Sequence, residues 1–264
     1  MVDGSLSLRA RIAANHNLIS TFVKTPSACV VEILGGEGLD FLVLDAEHAP
    51  FDSASIDHCC LAARAAGVPA LVRVPNTLDD TIMRVLDAGA AGIVVPHVDD
   101  ALVAQRVVSA ARYQANNGRR GFSNSPRAGH YGKRSLADHI QVSDDQVCVI
   151  AQIESREAVE AIDAIVAVDG VDGLLVGRAD LAVSLGQTDL NAGAVNDAIE
   201  RVVRAAQRRS VPLGIFVADT AQVEPFYAQG FRLFIVGSDQ SHLRSHIHAS
   251  VAGFRSLPVV SPRV

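Results

Sequence analysis

The stretch GIVVPHVDDALVAQRVVSAA (Gly92–Ala111) contains the unit that decides the fold. Gly92–Val95 is short and apolar throughout, as a strand buried on both faces must be. Asp99 and Asp100 then offer oxygens suited to capping a helix N-terminus. Leu102, Val103, Arg106, Val107 and Ala110 follow at the i, i+3, i+4 spacing of a helix. Outward from this unit the alternation repeats. Strands are expected at Ile19–Val23, Phe41–Leu44, Ala70–Val74, Val147–Ile153, Gly173–Val176, Pro212–Val217 and Phe231–Val236. Helical spacing follows Ser155 (Val159, Ile162, Ile165, Val166) and recurs at Val202, Val203 and Ala206.

Eight strands alternating with helices over 264 residues predict a single (β/α)8 TIM barrel spanning 1–264. A doubly wound sheet is the alternative, but its glycine-rich turn follows a strand. Here Gly35-Gly36-Glu37-Gly38 ends a helix, and no Walker sequence is present. Tyr113–Arg134 breaks the rhythm with Gly, Asn and Arg and no apolar period. A loop of that length is usually functional or an interface arm, and following a helix favours the interface. Residues 257–264, with Pro258 and Pro262, are expected to form an extended tail.

Apolar residues make up 49% of the chain and aromatic residues 5%, without Trp, so the core rests on Ala, Val, Leu and Ile. That content, with modest charge, excludes disorder. A net charge of −6 leaves no basic excess for nucleic acid. No apolar run fits a signal peptide or a membrane helix, so a cytoplasmic protein without a membrane partner is expected. Cys29, Cys59, Cys60 and Cys148 show no CxxC spacing and are expected as small buried hydrophobes in a reducing compartment.

Barrel enzymes gather their chemistry at the C-terminal strand ends. Those ends carry Lys24; Asp45, Glu47 and His48; Arg73; His97; Gln152 and Glu154; Arg178 and Asp180; Asp219; Ser238 and Asp239. Glu154 and Asp180, on separate strands, suit one hard divalent ion such as Mg²⁺ or Mn²⁺; equally, they suit helix caps. His242 and His246 are spaced i, i+4 but lack a zincin glutamate, and are expected on a solvated terminal helix. His48 is placed to act as a base near neutral pH, with Asp45 or Glu47 fixing its tautomer, or else is a loop histidine bonded to backbone. Arg73 ends an apolar strand and needs a partner: an anionic substrate, or a salt bridge to Asp45 or Glu47.

Phe41–Pro50 (FLVLDAEHAP) resembles the histidine loop of the class II, metal-dependent pyruvate aldolases, the group of 4-hydroxy-2-oxoheptanedioate and 2-dehydro-3-deoxygalactarate aldolases. Val72–Pro75, Asp87–Gly92, Val95-Pro96, Ala111–Tyr113 through Arg120-Gly121, Gln152–Glu154 and Val176–Leu181 are similar to that family in the same order. The resemblance implies a metal-dependent aldolase using pyruvate or a close 2-oxo acid and an aldehyde. It implies Glu154 and Asp180 as ligands of Mg²⁺, Mn²⁺ or Co²⁺, His48 as base and Arg73 on the enolate. Gln152 and the Ala179 backbone are implied to contact substrate. Asp87 is implied to approach His48 of a neighbouring subunit in a homo-oligomer, a hexamer. Arg178 stands where many relatives carry Pro and adds a positive charge suited to a second anionic group. Ser123–Gly132 also departs from the heptanedioate enzymes.

Three rival readings are separable. A Schiff-base aldolase needs a mouth lysine, and of only two lysines, Lys24 and Lys133, Lys24 alone ends a strand. A citrate-lyase-like enzyme needs a site for the CoA handle, which the sequence does not display. A non-catalytic oligomeric barrel predicts no metal-dependent exchange of pyruvate's methyl protons.

Overall fold

Strands with two apolar faces need cover on both sides, and a barrel ringed by helices supplies it. The computed structural model describes residues 6–257. Eight parallel strands close in sequence order, each paired with its successor and the last with the first. They are β1 (Leu18–Val23), β2 (Leu42–Asp45), β3 (Ala70–Arg73) and β4 (Gly92–Val95), then β5 (Cys148–Ile153), β6 (Gly173–Val176), β7 (Leu213–Val217) and β8 (Leu233–Ser238). Alternate residues separate into two cores. Val43, Leu71, Val94, Ile150, Leu175 and Ile235 fill the barrel, while Leu42, Leu44, Val72, Ile93, Val149 and Leu174 pack outward. Helix α1 (Leu8–Ala13) adds Leu8 and Ile12 to the inner cluster and plugs the N-terminal end.

Around the barrel run α2 (Ala28–Gly35), α3 (Ser53–Ala65), α4 (Asp79–Asp87) and α5 (Ala101–Ala111). Next come α6 (Leu136–Gln146), α7 (Arg156–Glu160), α8 (Ile162–Ile165) and α9 (Arg178–Ser184). Last are α10 (Gly193–Arg209), α11 (Val223–Ala228) and α12 (Asp239–Arg255). Asp100 caps α5 by accepting from the Val103 N–H at 2.8 Å. The single helix expected after Ser155 is two, because the chain departs from helical geometry at Ala161 (φ −89°, ψ 4°). The eighth strand extends two residues past its expected end, carrying Ser238 to the N-cap of α12.

The 113–134 loop leaves the C-terminus of α5 and packs at the plugged end of the barrel, away from its own mouth. It holds 3₁₀ turns at Gln114–Asn116 and Arg127–Gly129. Its backbone crosses itself so closely at Gly129 that a Cβ there would lie 2.0 Å from the Asn124 carbonyl oxygen. Cys59, Cys60 and Cys148 are buried, but Cys29 is exposed, because it lies on the outward side of α2. Among the described residues no helix is long and apolar enough to cross a membrane. The expected tail lies, from residue 258 onward, outside the described residues.

Candidate active site

Register builds the first pair. Asp45 stands opposite Arg73 across β2 and β3. Arg73 Nε and Nη2 donate to Asp45 Oδ1 and Oδ2 at 2.9 and 2.8 Å, the forked geometry that suits arginine and carboxylate. Asp45 also accepts from the His48 backbone N–H at 3.1 Å and lies 3.2 Å from Lys24 Nζ. Burial pushes the Asp45 carboxyl up, but the Arg73 guanidinium, the His48 N–H and Lys24 together hold it below the usual carboxylate range. Arg73 rests on the Phe22 ring at 4.6 Å and reaches Glu47 Oε2 with Nη1 at 3.2 Å. The salt-bridge alternative for Arg73 is therefore realised, and the guanidinium still lines the mouth.

A second cluster joins three strand ends. β4 pairs with β5 as Val95 with Ala151, which brings His97 alongside Glu154. His97 adopts a left-handed conformation, φ 54°, and its backbone N–H donates to Glu154 Oε1 at 2.8 Å. Its ring lies 3.3 Å from Glu154 Oε1 and 3.5 Å from Glu47 Oε1. Among the described residues, Glu47, His97 and Glu154 each offer a ligand atom, all within 4.8 Å of one another. Burial raises the Glu47 carboxyl above its ordinary value, outweighing the pull of Arg73 and His48. Gln152 donates to Glu154 Oε2, leaving its own buried Oε1 without a hydrogen-bond partner among the described residues.

The mouth encloses about 290 Å³ and brings Lys24, His48, Arg73, Gln152, Ala179 and Asp180 to one cavity. The His48 side chain is 55% exposed, and its Nε2 lies 3.8 Å from Glu47 Oε2. Asp45 thus fixes the His48 backbone, and Glu47 is the carboxylate beside the ring. Glu154 caps no helix: Ser155 caps α7, accepting from the Ala158 N–H at 3.0 Å. Asp180 is exposed on the first turn of α9, whose N-cap is Gly177. A Cβ on Gly177 would sit 2.9 Å from both Cβ and Oε2 of Glu154, so the small residue makes room for that carboxylate. Arg178 lies over the Phe226 ring at 4.9 Å and donates to Leu190 O and Asn191 Oδ1, with Nε unpartnered among the described residues.

One named residue stands elsewhere. Asp87 ends α4 at the plugged end and pairs with Arg120 Nη2 at 2.7 Å, across the barrel from its own His48. The sequence reading gave no ligand role to Glu47 or His97, though both stood among the strand-end residues. The signal that joins His97 to Glu154 is adjacency of β4 and β5, available once a barrel is drawn. His242 is tied to Thr21 Oγ1 at 3.1 Å and Val236 O at 3.2 Å, whereas His246 is exposed.

Residues 18–246 match the family described as HpcH/HpaI aldolase/citrate lyase. The chain is 35% identical over 238 residues to a hydroxypyruvate/pyruvate aldolase of Paraburkholderia phytofirmans, covering 88% of this chain and 91% of that one. It is 34% identical to a 5-keto-4-deoxy-D-glucarate aldolase of Shigella dysenteriae, covering 90% and 92%. The crystal structure of a family member from Burkholderia cenocepacia superposes with a TM-score of 0.90 at 34% identity, covering 94% and 99%. With its barrel, its carboxylate-rich mouth and these relatives, the chain belongs to the HpcH/HpaI aldolase/citrate lyase family and is a carbon–carbon lyase.

Proposed function

We propose that the chain is a divalent-metal-dependent aldolase that cleaves or forms 4-hydroxy-2-oxo acids, with pyruvate or a close 2-oxo acid as enolate donor and an aldehyde as acceptor. The observation that carries this is one cavity lined by His48, Arg73, Gln152 and Asp180, beside the Glu47, His97 and Glu154 cluster. The aldolases named above act on such compounds by their names.

The residues fit a cation. Carboxylates and an imidazole converge, and Gln152 keeps a buried oxygen without a donor. We assign Glu154 and Asp180 as ligands, with Glu47 and His97 as further donors beside Glu154. Bound there, Mg²⁺, Mn²⁺ or Co²⁺ supplies Lewis acidity to the carbonyl of the 2-oxo acid. Gly177→Ala is expected to weaken Mn²⁺ binding about 10–100-fold by displacing Glu154, as disturbed metal-site support commonly does. Electron paramagnetic resonance of free Mn²⁺ measures this, and unchanged affinity would show that Glu154 yields to the new methyl at no cost.

In cleavage, His48 takes the proton of the 4-hydroxyl. The C3–C4 bond breaks, the aldehyde carbonyl forms, and the bond's electron pair becomes the enolate of pyruvate. Arg73 shares the enolate charge, and a proton returned to C3 completes the methyl group. Gln152 and the Ala179 N–H orient the 2-oxo acid. Lys24 is poorly suited to imine formation. Its Nζ is engaged by the buried Asp45 carboxylate at 3.2 Å rather than presented free to a carbonyl carbon.

The deciding experiment follows exchange of pyruvate's methyl protons by NMR in D₂O. Exchange with Mn²⁺ that chelator abolishes and added metal restores is expected. Chelator-insensitive exchange, or borohydride trapping of pyruvate on Lys24, would overturn the metal mechanism; absence of exchange under all conditions would leave a binding scaffold.

We also propose that the active form is a homo-oligomer, a hexamer: the resemblance pairs Asp87 with His48, and within one chain Asp87 lies at the plugged end on Arg120 while His48 lies at the mouth. Leu243, Ile247 and Phe254 leave α12 with an apolar face 67%, 53% and 75% exposed, which supports self-association. The double variant Leu243→Glu with Phe254→Glu is expected to lower the mass by light scattering; unchanged mass would place the interface elsewhere. Cytoplasmic action is proposed from four free cysteines, three of them buried.

A further inference from the structure

Lys24 follows the last residue of β1 and lines the mouth, its side chain 30% exposed. Its base is fixed, because the Lys24 and Thr25 backbone N–H groups donate to the two Asp239 oxygens at 2.8 and 3.0 Å. Its Nζ lies 5.9 Å from the centre of the Phe22 ring and 3.2 Å from Asp45 Oδ2. That carboxylate is already committed: Arg73 donates to both its oxygens and the His48 N–H to Oδ1. An ammonium carries three N–H donors, and one oxygen engages one of them. Two donors on Nζ are left for an occupant of the cavity. Arg73 differs, since each of its three nitrogens faces a carboxylate oxygen of Asp45 or Glu47.

The guanidinium of Arg73 divides the mouth. Its Nη1 turns to Glu47, which belongs with His97 and Glu154, while its Nη2 shares Asp45 Oδ2 with the Lys24 ammonium. A 2-oxo acid bound at the carboxylate cluster, with its enolate oxygen on Arg73, leaves the Lys24 side to the acceptor. The walls there are apolar. Phe22 and Phe216 pack with ring centroids 5.6 Å apart, and Phe216 lines the cavity between buried Ile215 and Val217. Ala218, Gly237 and Ser238 add no charge, so Lys24 is the one charged lining residue at the ends of β1, β7 and β8. A cation against an apolar wall holds an anion more strongly than one in open water. Two cations that meet on one oxygen also set a short reach, from the enolate to the acceptor's charge.

Resting on the aldolase reading, we propose that Lys24 is the residue that selects the acceptor. It binds the carboxylate of a short oxo acid, an aldehyde whose carboxylate lies on the carbonyl carbon or one carbon beyond. A neutral aldehyde leaves the ammonium without that partner.

The test compares glyoxylate with glycolaldehyde as acceptors for pyruvate in the Mn²⁺-loaded full chain, as a ratio of kcat/KM values. The wild-type ratio is expected to favour glyoxylate. Lys24→Met should lower that ratio about 10–100-fold, the range of a lost charge-assisted hydrogen bond. Lys24→Arg, which keeps the charge, should retain most of the preference. Lys24→Gln should lower the ratio in the same direction and serves if Lys24→Met folds poorly. A ratio unchanged in both neutral variants would overturn the proposal. So would a pyruvate KM that rises equally with either acceptor, which would put Lys24 on the donor. Exchange of pyruvate's methyl protons by the wild type needs no acceptor and reports the aldolase reading by itself. Exchange with an unmoved ratio rejects Lys24 alone; absence of both exchange and turnover rejects the two together.

Discussion

Arg73→Met is expected to lower kcat/KM about 10²–10³-fold and, in the same protein, to cost about 3 kcal/mol of stability. The catalytic part follows from the proposed mechanism, in which Arg73 is the fixed cation that shares the enolate charge. The stability part follows from Asp45, whose side chain is 0% exposed and which would keep only Lys24 and the His48 N–H as partners. Breaking a buried pair by deleting one partner is far costlier than never having built it. Adding Asp45→Asn should recover most of the stability and little of the activity, which separates the two roles. The sign with pH is fixed. Arg73 holds Asp45 below its ordinary 3.8 in the native chain, so the pair's contribution is fully present above 3.8 and is lost as pH falls below it through the lower native value. The destabilisation of Arg73→Met, measured by urea unfolding, should therefore be largest near neutrality and shrink below about pH 4. A penalty independent of pH would remove the ion pair as its cause.

His48→Ala is expected to reduce the cleavage rate about 10²–10⁴-fold, the usual contribution of a positioned base. Its stability should barely change, because the ring is 55% exposed while the structural bond is made by the backbone. A near wild-type rate would dismiss His48 from proton transfer. The same variant tests the role of Asp87. Co-expressed His48→Ala and Asp87→Asn chains should regain activity that neither has alone, since mixed oligomers contain sites with an intact histidine from one chain and an intact aspartate from another. No recovery would confine Asp87 to its bond with Arg120.

The fold was legible because both faces of each strand are apolar. Gly92–Val95 and Gly173–Val176 match their expected bounds, and errors fall at ends such as β8, where polar Ser238 hides the strand's last residue. The mouth was legible as a set of strand-end residues but not as a geometry. Asp45 and Arg73 lie 28 positions apart, and register, not spacing, makes them a pair. Adjacency of β4 and β5 brings His97 near Glu154, but the bond between them also depends on a left-handed backbone conformation that residue identity does not announce. The 113–134 loop was expected to serve an interface because it follows a helix, but its seat at the plugged end was not legible, since it depends on contacts such as Arg127 with Asp57 and Ala88, far away in the chain.

Leu8 and Ile12 of α1 join Val43, Leu71, Val94 and Ile150 in a core that leaves the barrel no passage from end to end. Whatever reacts at Arg73 therefore arrives and departs on the C-terminal side alone, where Lys24, His48 and Asp180 line the cavity.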